Sequence, residues 1–130
     1  MKALRGVEHP HIIKLEDVEE DPLNIYIFTE YYENGDLFAY IQKHGPFDEQ
    51  MGKYLFRQMV DAVDYCHKTL NLCHHDIKLE NLVINHKMNL KLIDFGFAVP
   101  LEVSPGKKMI KIYDGSPGKK RFRYSNCSVV

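Results

Sequence analysis

CHKTLNLCHHDIKLEN, residues 66–81, crowds Cys66, His67, Cys73, His74, His75 and Asp76 together, then adds Lys78 and Asn81. Two chemistries use residues of this kind. Dense thiols and imidazoles suit a zinc site. A His, an Asp two positions on and an Asn five beyond that suit a loop that positions a phosphate and a metal. The flanking residues decide between them, and with them the fold.

Upstream, Asp48 is placed to cap a helix over 48–67. Its apolar positions are Met51, Tyr54, Leu55, Met59, Ala62, Val63 and Cys66, at three- and four-residue spacing. Lys53, Arg57, Asp61 and Asp64 form its polar face. The Met and Tyr stripe reads as core rather than as a cofactor box. Downstream, LVIN (82–85) and LKLI (90–93), joined by HKMN, read as a β-hairpin, and IDFG (93–96) follows at once. Nearer the start, HPHIIKLEDV (9–18) and NIYIFTEY (24–31) read as adjacent strands around the turn-like EEDPLN. ENGD (33–36) breaks the second strand, and DLFAYIQK (36–43) reads as a short helix ending near Gly45 and Pro46. Residues 1–8 suit the end of a helix, with Met1 and Leu4 apolar and Gly6 as the stop.

The chain has 130 residues, 45% hydrophobic and 27% charged, the balance of a water-soluble domain or a piece of one. No apolar run is long enough to span a bilayer, and MKALRGVEHP has no secretory core. Three cysteines without a CxxC spacing point to reduced thiols, and so to the cytoplasm or the nucleus. From Ser104 onward seven basic residues face Asp114 alone, a charge of +6, which leaves −7 on residues 1–103 for the net of −1. Pro, Gly, Ser and Lys dominate that end, SPGKK occurs twice, and 101–130 reads as loop or disorder. No nucleic-acid partner is expected.

A zinc cage needs four converging ligands. Cys66 and His67 are adjacent at a helix end and point about 100° apart. Cys73, His74 and His75 are contiguous, and neighbours in an extended segment face opposite ways. The phosphate reading uses more residues. Asp76 can orient an attacking hydroxyl, Lys78 can stand beside a phosphate, and Asn81 and Asp94 offer oxygens to Mg²⁺ across the hairpin between them. Gly96 would let the backbone turn away beside the metal.

HHDIKLEN (74–81) resembles the catalytic loop of eukaryotic-type protein kinases, and DFG (94–96) their metal-binding motif. The likeness runs from about Met1 to Pro117. It implies an α+β, protein-kinase-like fold in part: the end of the β-rich small lobe with the hinge (1–32) and the start of the helical large lobe with its catalytic-loop hairpin (33–100), followed by an activation segment and a basic tail (101–130). It implies ATP and Mg²⁺ as cofactors and a protein substrate. By resemblance His74 would brace the loop, Asp76 would be the catalytic base, Lys78 would contact the γ-phosphate, and Asn81 and Asp94 would bind Mg²⁺. Lysine two after the aspartate resembles serine/threonine kinases. TEYYENGDLFAYI resembles the hinge, with Thr29 as gatekeeper. Glu30 and Tyr32 would offer backbone groups to adenine, Asp36 would reach the ribose or cap its helix, and Val83 would floor the adenine pocket. Leu15, His74 and Phe95, with Leu4, would stack as a column between the lobes. The general flavour resembles calmodulin-dependent and energy-sensing kinases.

The sequence also departs from that pattern. It holds no GxGxxG or VAIK-like stretch, so the residues that roof the phosphates would lie upstream of Met1. GKKRFRYSNCSVV (118–130) stands where the activation segment would close, and the supporting helices of the large lobe do not follow. CSVV fits a prenylation box poorly and could act as a PDZ ligand through its carboxylate, but an ending made by truncation or altered splicing fits better than either. His75 occupies the position of an arginine that pairs with a phosphorylated activation loop. These departures predict an inactive chain, with a non-catalytic remnant that binds a regulatory protein, or competes with a full-length kinase relative, as the alternative.

Overall fold

The computed structural model describes residues 4–101, with the strand residues 103–104 and 107–108 beyond them. Strands β1 (Leu15–Glu20) and β2 (Ile25–Thr29) form an antiparallel ribbon with a bulge between Leu15 and Asp17. Asp21 makes the turn: its Oδ1 accepts the N–H groups of Leu23 and Asn24 at 2.7 and 2.8 Å. Every residue of β2 is exposed, and only the base of the ribbon, at Leu15, packs on the core.

The sequence reading started the first strand at residue 9, and the structure starts it at Leu15. His9 to Lys14 run instead beneath the second hairpin. Ile12 bridges Leu92 in parallel, the Ile13 N–H donates to the Leu92 carbonyl (3.0 Å), and the Leu92 N–H donates to His11 (2.9 Å). The apolar pair Ile12 and Ile13 is therefore core, not the face of a ribbon.

Helix α1 (Leu37–His44) begins at Asp36, whose Oδ1 accepts the Ala39 N–H at 2.8 Å. It ends at Gly45, with φ 88°, whose N–H returns to the Ile41 carbonyl. Helix α2 (Glu49–Lys68) is capped by Asp48 through the Met51 N–H. It buries Leu55, Ala62 and Cys66, as its spacing predicts, but Tyr54 faces outward, with Phe56 and Val60. Gln58 is buried in their place.

Strand β3 (Leu72–Cys73) pairs with β6 (Val99–Pro100). Between them lie a 3-10 turn (Leu79–Asn81), the hairpin β4 (Leu82–Ile84) and β5 (Leu90–Leu92), and a second 3-10 turn (Phe95–Phe97). The hairpin turn is organised by Asn85, whose Oδ1 accepts the N–H groups of Lys87 and Asn89. Ile12, Ile84, Leu90 and Leu92 are less than 2% exposed, so hairpin, α2 and the N-terminal segment share one core. Each such side chain stabilises by about 1.5–3 kcal/mol relative to exposure. Strands β7 (Val103–Ser104) and β8 (Lys107–Lys108) pair inside the stretch read as loop. Met1, KIYDGSP, the second SPGKK and CSVV lie outside the described residues. No described helix is long and apolar enough to cross a membrane.

Candidate functional site

The loop after β3 is organised by His74, which is 2% exposed. The Asp76 N–H donates to His74 Nδ1 at 3.2 Å, so that nitrogen is the acceptor and Nε2 carries the proton given to the Ile93 carbonyl at 2.9 Å. Burial holds the ring's pKa below its usual value, which keeps it in this neutral form. Its edge meets Phe95 at 4.7 Å between ring centres. His75 takes φ 65°, which turns the chain and brings Asp76 back towards Asn81.

Asp76 Oδ2 is shared. Lys78 Nζ lies 2.8 Å from it, and Asn81 Nδ2 donates to it at 2.8 Å and to the Asp76 carbonyl at 2.9 Å. The hydrogen bond from Lys78, then that from Asn81, holds the Asp76 carboxyl below the usual carboxylate range, and Asp76 raises Lys78 in return. Both groups are thus charged at neutral pH. Both amide protons of Asn81 are committed to Asp76, which leaves its Oδ1 to take a cation.

The hairpin closes this loop on Asp94. The Ile93 N–H donates to the Asn81 carbonyl at 2.9 Å, so Asp94 stands one residue past a direct bond to Asn81. Asp94 itself carries the positive backbone angle, φ 59°, and its Oδ1 accepts the Gly96 N–H at 3.1 Å. Gly96 is therefore not the residue that reverses the chain. Its need is space: a Cβ there would meet Asp94 Oδ1 at 3.0 Å. One amide oxygen and one exposed carboxylate are the hard donors Mg²⁺ takes when phosphates and water fill its other positions.

The second group of expected residues lies along the linker after β2. Thr29 is exposed and pairs with Leu15. Glu30 is fastened by its side chain: Oε1 accepts the Lys14 N–H at 2.7 Å and meets Lys91 Nζ at 2.5 Å. Tyr32 is half-buried, and desolvation, then Glu30 and Glu33, push its phenol up to about 12. Asp36 caps α1 through Oδ1 and bridges Val83 on β4, so the residues expected at the ribose and the adenine floor are neighbours. The hairpin joins the groups, since Val83 lies two residues beyond Asn81.

Two residues of this framework escaped sequence reading. Gln58 is 6% exposed on α2 and spans the hairpin turn, its Nε2 donating to the Met88 carbonyl at 3.0 Å and its Oε1 accepting the Leu90 N–H at 2.8 Å. Lys91 is 9% exposed at the centre of β5. Their positions, a polar residue on the inner face of α2 and one between Leu90 and Leu92, were the available signal.

The zinc reading fails on the same geometry. Both ring nitrogens of His74 are engaged, and Cys66 is buried, with desolvation pushing its thiol up to about 11. Among the described residues no three His, Cys, Asp or Glu side chains converge to hold a metal.

Residues 1–117 match the protein kinase domain family. Over 117 residues the chain is 38% identical to the SNF1-related protein kinase catalytic subunit alpha KIN12 of Arabidopsis thaliana, an alignment covering 90% of this chain and 23% of that protein. The chain thus spans about a quarter of the length of this relative. It belongs to the protein kinase domain family, and its strands, helices and catalytic-loop hairpin make up part of that fold.

Proposed function

We propose that this kinase family member carries the acceptor-orienting and metal-binding half of a site that transfers the γ-phosphoryl group of ATP to serine or threonine hydroxyls of proteins. The observation that carries the reading is the Asp76 carboxylate, held by Lys78 and Asn81, with Asn81 tied by the backbone to the residue before Asp94. Asp76, ionised at neutral pH, accepts a hydrogen bond from the substrate hydroxyl and aims it. Lys78, already beside that carboxylate, places its charge where the phosphoryl group arrives. Asn81 Oδ1 and the Asp94 carboxylate would hold a Mg²⁺ ion, which would supply positive charge to offset that of the phosphate oxygens. The Glu30 carbonyl and the Tyr32 N–H, which enter no backbone hydrogen bond among the described residues, face the base. Asp36 and Val83 border the sugar and the base.

These 130 residues hold no GxGxxG loop and no VAIK-like lysine, and each absent donor of that kind costs about 3 kcal/mol of barrier lowering. We therefore propose that these residues alone bind metal–nucleotide without turnover. A second reading, a non-catalytic module for a regulatory protein or a full-length kinase relative, is favoured by apolar surface. Leu23, Ile25 and Phe28 are 90%, 61% and 46% exposed, and Phe56 on α2 is 60% exposed.

Thermal unfolding with and without ATP and Mg²⁺ tests the two. The first reading expects a cooperative transition that Mg-ATP raises, by about 2.7 kcal/mol at a hundredfold excess over Kd, and that it leaves unchanged in Asp94→Asn. A transition indifferent to nucleotide sinks it and leaves the second reading.

A further inference from the structure

The linker between β2 and α1 is sewn to the β4–β5 hairpin along its length. At its far end the Asn34 N–H donates to the Ile84 carbonyl, the Ile84 N–H donates to the Gly35 carbonyl, and Asp36 bridges Val83. At its near end the tie is a buried charge. Lys91 Nζ meets Glu30 Oε1 at 2.5 Å and donates to the Ile12 carbonyl at 3.1 Å, with the His9 carbonyl at 3.4 Å and the Tyr32 ring centre at 5.9 Å. The lysine side chain is 11% exposed and the glutamate 26%. The same carboxylate oxygen accepts the Lys14 N–H, and the Glu30 N–H answers to the Lys14 carbonyl at 3.3 Å. Lys91 stands three residues before Asp94 on a strand of three residues, all buried.

A lysine in the middle of a buried strand is expensive to desolvate, and an apolar residue would pack there at less cost. What an apolar residue cannot do is hold Glu30. Without the ammonium, Glu30 keeps a partly buried carboxylate with one backbone donor, and the linker end is free to leave.

We propose that Lys91 is a positioning residue: through Glu30 it fixes the linker's backbone groups at residues 30–32 in register with Asp94, so that one strand sets where a base and a metal-bound phosphate chain lie relative to each other. The function of that register rests on the nucleotide reading above; the register itself does not.

The test combines residue-resolved amide exchange with binding. In Lys91→Met, exchange at Lys14, Glu30 and Asn34 is expected to speed up about tenfold beyond any change in the interior of α2. Lys91→Arg restores it, because a guanidinium also reaches Glu30. Glu30→Gln, which removes the charge and keeps the shape, gives the same pattern should Lys91→Met fail to fold. Adenosine affinity falls about tenfold in Lys91→Met, while affinity for magnesium tripolyphosphate changes less than twofold. Exchange that rises evenly across linker and α2, or not at all, overturns the positioning role whatever nucleotide does. Local exchange as expected, with no nucleotide bound by any variant, retains the role and refutes the nucleotide reading instead.

Discussion

Replacing Gln58 by methionine, which fills much the same volume, isolates two hydrogen bonds from packing. The Leu90 N–H bonded to Oε1 is buried and has no water to turn to, so stranding it costs about 1–3 kcal/mol. The Met88 carbonyl is only partly buried and recovers part of its bond from solvent, which leaves about 0.5 kcal/mol there. The methionine returns some of this through a less polar side chain in the same place. A net loss of about 2 kcal/mol follows, or about 10 °C in Tm for a domain near 100 residues. Urea unfolding monitored by circular dichroism measures it, with the m-value unchanged between the two proteins. The functional consequence is sharper than the thermal one. Gln58 holds the turn of the hairpin whose base spaces Asn81 from Asp94, so Gln58→Met should also reduce Mg-ATP stabilisation at temperatures well below its Tm. A stability change under 0.5 kcal/mol, or a gain, refutes the view that this clamp rather than apolar packing docks the hairpin on α2.

Three further outcomes can be checked. His9, His74 and His75 all have pKa values lowered by burial, and the lowered form is the neutral one. The unfolded chain therefore binds more protons below its pKa of about 6.5, so the stability they contribute is present above that pH and lost as pH falls through their folded values. Urea midpoints should drop between pH 7.5 and 5.5. His75→Asn, which tolerates φ 65° and removes a ring whose Nε2 is buried without a partner, should flatten that drop, and an unchanged slope would refute the assignment. Asp36→Ala should cost about 1 kcal/mol through loss of the α1 cap, whereas Asp36→Asn should cost only tenths; equal losses in urea unfolding would show that charge, not capping, is what Asp36 supplies to the fold.

Local elements were legible where the signal was local. Helix α2 lay within a residue of its expected bounds because its apolar spacing and Asp48 cap both sit inside it, and the hairpin followed from two short apolar runs around HKMN. Periodicity failed where the partner was remote. Ile12 and Ile13 look like strand residues for a neighbouring strand, but what buries them is Leu92, which no local pattern can announce. It failed again where a polar residue was core. Tyr54 outranks Gln58 on any hydrophobic scale, yet the backbone groups of the hairpin turn need a donor and an acceptor, and only Gln58 supplies both. In the site, Asp76, Lys78, Asn81 and Asp94 could be named from residue type and order. That Asp94, and not Gly96, takes the left-handed conformation needed coordinates.

The docking of the N-terminal segment under the hairpin has a consequence for synthesis. Ile12 and Lys91, bonded in the folded chain, lie 79 positions apart. At ribosomal speeds of about 5–20 residues per second, the strand that covers Ile12 is made about 4–16 s after Ile12 itself. Leu4, Val7, Ile12 and Ile13, all buried in the finished fold, spend that interval exposed on the nascent chain. A chaperone that binds short apolar segments can hold these residues until β5 is made to cover them.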